Sequence, residues 1–172
     1  MAVEGERFDP LAVIRAFERE RASYVLIGGL ARVVQGAEEL TYAVDVCPAV
    51  RGRNLERVQA ALDQLEAQAR DGRKMPLAER VARGDQVIPY RTSAGELQIV
   101  PTPAGTQGYD DLRRRAHREY LGDGVRAEVA SINDLSRMLA ARGREDDLQR
   151  LLAMRRLHEL ERSIGRGLEL GL

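Results

Sequence analysis

Ile27-Gly28-Gly29 and Asp45 are the residues of this chain best placed to do chemistry. Thirteen residues separate Gly29 from Ala43, which opens Ala43-Val44-Asp45-Val46. A Gly-Gly turn between a buried strand and a short helix aims backbone N–H groups at whatever lies above it, an arrangement that suits phosphate. Taken alone the pair is weak evidence, because most such pairs only permit a tight turn. Asp45, alternating with Val44 and Val46 on a strand, offers a hard oxygen donor of the kind magnesium takes. Other candidates have plainer readings. Asp110-Asp111 opens a predicted helix, where acids favour the positive dipole end. His117 and His158 have no local partner at metal-ligand spacing. Arg113, Arg114, Arg115 and Arg118 with His117 form a basic stretch expected on one helix. It is either an RNA or phosphate surface or, more simply, a solvated face balanced by Asp110, Asp111 and Glu119. No Ser-His-Asp or Cys-His arrangement is legible.

The elements around these residues read in a clear order. Asp9-Pro10 starts a first helix, Asp as N-cap and Pro at the first helical position, with Leu11, Ile14 and Phe17 on one face. Tyr24–Ile27 reads as a buried strand, Leu30–Gln35 as a short helix ending at Gly36, and Thr41–Val46 as a second strand stopped by Pro48. Asn54–Ala69 is an amphipathic helix with Leu55, Val58, Leu62 and Leu65 inward. Residues 73–84 fit a short helix or an irregular crossing. Gln86–Arg91 and Leu97–Val100 are strands joined through Ser93-Ala94-Gly95. Tyr109–Tyr120 is expected to be helical and Arg126–Ala130 a strand. Ser131-Ile132-Asn133-Asp134 has the form of a capping box, leading a helix to about Ala141. A last helix, Glu145–Glu161, is expected to bury Leu148, Leu151, Leu152 and Leu160, with a frayed tail from Gly165. The sum is an α/β (α+β) chain: a mixed sheet of about five strands over residues 1–130, and a C-terminal helical extension over 131–172 packed on it.

Composition sets the outer bounds. The 172 residues are 44% hydrophobic and 31% charged, with a net charge of zero, so nothing global demands nucleic acid or an acidic membrane. Lys74 is the sole lysine, which a GC-rich coding sequence explains. The single cysteine, Cys47, excludes an internal disulfide, fits a reducing cytoplasm and reads as a structural thiol. No apolar run approaches a membrane span, and the acidic N-terminus does not resemble a signal peptide.

The order of motifs resembles the DNA polymerase β-like nucleotidyltransferase superfamily, in particular the minimal nucleotidyltransferases of the abortive-infection toxin kind. The residues that carry the resemblance are Ile27-Gly28-Gly29, Gly36 and Thr41 of the spacer, Asp45, Leu97-Gln98-Ile99-Val100-Pro101, Gly105–Leu112, and the closing segment Ser131–Leu135, Met138, Gly143-Arg144 and Asp147-Leu148. The resemblance implies a nucleotidyltransferase-like fold, nucleotide contacts at Gly28, Gly29 and Thr41, and three strand carboxylates holding two magnesium ions. Only Asp45 of the three acids is present; Ala43 and Gln98 occupy the other two positions. Glu39 stands where the family has an arginine, so it is expected to repel phosphate, and Leu139 stands where a lysine follows the methionine. Two magnesium ions about 4 Å apart need several anionic oxygen donors. The expectation is therefore a protein that has lost most metal-binding residues and needs no cofactor. It would serve as a non-catalytic binding or regulatory protein, possible partners being a nucleotide, another protein, RNA or a second copy, in a setting linked to toxin–antitoxin systems. The alternative is an active, magnesium-dependent enzyme transferring NMP from NTP to RNA or protein, with replacement ligands from Glu38, Glu39 or Glu96.

Overall fold

The computed structural model describes residues 7–169 of the chain. Asp9 caps the first helix, α1 (Pro10–Arg19), its carboxylate accepting from the Ala12 N–H at 3.2 Å. The strands are β1 (Tyr24–Ile27), β2 (Ala43–Pro48), β3 (Gln68–Ala69), β4 (Ile88–Thr92), β5 (Gly95–Ile99), β6 (His117–Gly122) and β7 (Val125–Val129). They form one sheet in the order β3-β4-β5-β2-β1-β7-β6. Seven strands replace the expected five or so. The β2–β5 and β1–β7 pairs are parallel and the others antiparallel. The core sits on this sheet: β1 is buried throughout, and Phe17, Leu26, Leu62, Leu97 and Leu135 are closed to solvent.

The remaining helices are α2 (Gly28–Val34), α3 (Gly52–Gln64), α4 (Leu77–Ala82), α5 (Tyr109–Leu112), α6 (Ile132–Arg142) and α7 (Leu148–Glu169), with a 3₁₀ turn at Glu145–Asp147. The helix expected over Asn54–Ala69 stops at Gln64. Glu66 takes a left-handed φ of 53°, and the last two residues of the expected span pair with β4 as the short edge strand β3. The expected Tyr109–Tyr120 helix is also wrong: it ends at Leu112, and His117–Gly122 is an edge strand. The turn into β7 explains this. Asp123 (φ 50°) and Gly124 (φ 76°) are both left-handed, as a tight hairpin requires. The basic residues therefore share no helix. Arg115 pairs with Asp111 (2.7 Å) and Asp134 (2.9 Å), Arg113 faces Asp110 (3.9 Å), and Arg118 on β6 reaches Glu18 (3.2 Å).

Ser131 caps α6, accepting from the Asp134 N–H at 3.0 Å. Asp134 does not return the bond as a capping box would; it is buried and taken by Arg115 and Arg137. Helix α7 continues past the expected fraying point to Glu169. Met154 on it is fully buried, whereas Leu148, Leu152 and Leu160 are 55%, 41% and 57% exposed, against expectation. Among the described residues no helix is long and apolar enough to cross a membrane.

Candidate functional site

Strand pairing places the predicted residues. Asp45 lies opposite Ile27 on the antiparallel side and opposite Gln98 on the parallel side. Ala43 lies opposite Glu96, so Ala43, Asp45, Glu96 and Gln98 share one face of the sheet. β1 ends at Ile27, and the chain turns at Gly28 with φ +71°, a conformation that favours glycine. A Cβ on Gly28 would stand 2.2 Å from the Asp45 Oδ2, so the carboxylate packs directly over this glycine. A Cβ on Gly29 would stand 3.0 Å from Thr41 Oγ1 and 3.2 Å from Glu39 Oε1. Thr41 in turn donates to the Ala43 carbonyl at 3.2 Å. Gly28, Gly29, Thr41 and Asp45 thus come together. Gly28, Asp45 and Gln98 line a cleft of about 1000 Å³, while Gly29, Thr41 and Ala43 lie outside its lining.

The electrostatics of the cleft centre on Asp45. Its Oδ1 is sealed from solvent and has no hydrogen-bond partner. Burial pushes the carboxyl up to about 6, against the opposing pull of Arg32 and Arg142. Both arginines have acids of their own. Arg32, itself buried, donates through Nε (3.0 Å) and Nη2 (2.9 Å) to the two oxygens of Glu39. Glu39 therefore stands as the internal counter-ion of Arg32 and lies outside the cleft lining. Arg142 donates to both oxygens of buried Asp147 at 2.6 and 2.9 Å. Arg150 bridges the two pairs, 3.1 Å from Asp147 and 3.8 Å from Glu39. Burial alone would raise Asp147, but the bonds from Arg142 and Arg150 outweigh it and hold the carboxyl below its ordinary value. A chain of ion pairs thus runs from α2 through the 35–42 loop to α7 and α6. The Arg32–Glu39 and Arg142–Asp147 pairs carried no sequence signal, since residues seven and five apart across a loop are not the i,i+3 or i,i+4 neighbours of a helix.

The donor set does not fit two magnesium ions. Ala43 supplies no oxygen, and Gln98 supplies at most a neutral amide. Glu96 is spent on Arg70 (3.1 Å) and Arg91 (3.9 Å), Glu39 on Arg32, and Glu38 is exposed. Among the described residues no group of three or more His, Cys, Asp or Glu stands together to hold a metal. Cys47 is buried, its thiol raised to about 12 by burial, and its Sγ donates to the Pro101 carbonyl at 3.6 Å. That is a structural thiol, as expected.

No family model matches the chain, and no curated protein matches it. Solved structures do. The antibiotic-resistance factor ANT(2'')-Ia, a nucleotidyltransferase, aligns over 93% of this chain and 92% of its own, with a TM-score of 0.55 at 12% identity. The fold is nucleotidyltransferase-like. At this identity the likeness establishes the nucleotidyltransferase-like fold and says nothing of the chemistry. JHP933 from Helicobacter pylori shows a fainter likeness, with a TM-score of 0.35 and 16% identity over 75% of this chain and 56% of that one.

Proposed function

We propose that this chain is a nucleotidyltransferase-fold protein that has given up metal-dependent transfer and acts by binding. The observation that carries the reading is Asp45. Among the described residues it stands without a second unpaired carboxylate on its sheet face, with Ala43 and the Gln98 amide at the neighbouring positions and its own Oδ1 sealed and unpartnered. A single negative charge does not gather two dications beside a triphosphate. The sequence resemblance of Ile27-Gly28-Gly29 and Ser131–Leu135 supports a place among abortive-infection proteins, with a cytoplasmic partner protein as the complement.

The test is calorimetric titration of manganese with ATP and with GTP into the wild type, Asp45→Asn and the double variant Ala43→Asp/Gln98→Asp. Binding is expected only in the double variant, which restores three carboxylates on adjacent strands. Tight metal–nucleotide binding by the wild type, abolished by Asp45→Asn, would restore the enzyme reading.

A further inference from the structure

The polar groups that line the cleft divide into those already satisfied and those left over. Arg32 is held by Glu39, Arg142 by Asp147, and Asp85 by Arg80 at 2.8 Å. Three of the side chains left over carry a charge or stand beside one. Asp45 lines the cleft; among the described residues its Oδ1 has no hydrogen-bond partner, and its Oδ2 lies over Gly28. Gln98, beside it on β5, has no side-chain partner among the described residues. Arg144, exposed at the rim, makes no ion pair among the described residues and is not one of the cations whose charge acts on Asp45. Val87, Val100, Met138 and Leu139 are among the apolar residues that line the cleft as well. Apolar walls with a few convergent polar groups are the general form of a small-molecule site, and about 1000 Å³ accommodates one.

The leftover groups define what would be recognised. A largely buried carboxylate with one oxygen unpartnered is costly, and a cationic hydrogen-bond donor at its other oxygen offsets that cost most effectively. Gln98 supplies an adjacent amide oxygen for a second N–H of the same group. Arg144 supplies a solvated cation for an anionic group. We propose that this cleft binds a small organic zwitterion, its protonated amine or amidine seated against Asp45 and Gln98 in the place where a nucleotidyltransferase would hold metal, its anionic group on Arg144. This rests on the preceding reading that the site holds no pair of metal ions.

The separation of the two ends is tested with a series of probes. Glycine, 4-aminobutyrate and 6-aminohexanoate are titrated into the ¹⁵N-labelled full chain, with butylamine and hexanoate as the single-charge controls and magnesium-ATP as a separate arm. At least one amino carboxylate is expected to shift the Gly28, Asp45 and Gln98 amide resonances with a Kd on the order of 1 mM, as suits a fragment of this size. Butylamine should bind several-fold more weakly and hexanoate not at all. Asp45→Asn should weaken binding by about tenfold or more, the scale of a charge-assisted hydrogen bond. Arg144→Ala should erase the preference for the zwitterion over butylamine while leaving butylamine binding intact. Absence of shifts from every amine, or binding undiminished in Asp45→Asn, overturns the proposal. If magnesium-ATP is silent as well, only this inference falls. If magnesium-ATP binds through Asp45, the reading beneath it falls too.

Discussion

Replacing Asp45 by Asn should make the folded chain more stable, by an amount that grows with pH. The carboxyl rises from 3.8 to about 6 on folding because burial strips its charge of water faster than Arg32 and Arg142 compensate. A group whose folded pKa lies above its unfolded one binds protons more tightly in the folded state. Its contribution is fully present below the unfolded value and is lost as pH rises through the folded value. At pH 4 and below, the wild type and Asp45→Asn should therefore be nearly equivalent, since the acid is neutral in the fold. Between pH 4 and about 6 the wild type loses stability that the amide keeps. At roughly 1.4 kcal/mol per pK unit, the gap reaches about 3 kcal/mol by pH 7.5. For a chain of this length that is on the order of 6–12 °C in Tm. Urea unfolding of the two proteins at intervals from pH 4 to pH 8 measures it directly. A gap that does not change with pH, or an amide variant less stable than the wild type at pH 7.5, would refute the claim that Asp45 is a desolvated charge retained at a cost to the fold. Such a cost is what a group kept for binding carries.

Removing Glu39 should do the reverse. Glu39→Ala leaves Arg32 buried without its counter-ion and should cost about 3 kcal/mol or more in chemical denaturation, whereas Arg32→Met/Glu39→Leu together should recover most of the loss. Gly28→Ala should be among the most damaging small changes available. It places a methyl 2.2 Å from Asp45 Oδ2 at a φ of +71°. The conformation alone costs about 1–2 kcal/mol; the clash should take the total beyond that, read as a drop in Tm.

Local signals were legible wherever local chemistry decides the outcome. Asp9 and Ser131 cap their helices because a side-chain oxygen reaches an N–H three residues on, whatever the rest of the chain does. The alternation Val44-Asp45-Val46 sent the valines to the core and Asp45 to the open face because a strand's period is two. Edge strands were not legible for the same reason. His117–Gly122 shows no clean apolar alternation and follows a run of Asp–Arg spacings that also suit a helix, so only pairing with β7 and the Asp123-Gly124 turn reveal it. The leucines of α7 were misassigned because a helix's apolar face cannot be chosen until its neighbour is known.

From its order of residues alone, this chain determined a carboxylate standing after a Gly-Gly turn, with alanine two positions before it. Those are facts of composition along a strand and need no folding to be true. Only the tertiary structure decided what the remaining groups do to one another. It buried Arg32 against Glu39, locked Arg142 to Asp147, and left Asp45 and Arg144 without partners among the described residues of one cleft. Desolvation and charge pairing depend on which atoms meet in space, and residues five, seven or a hundred positions apart meet only once the sheet has closed.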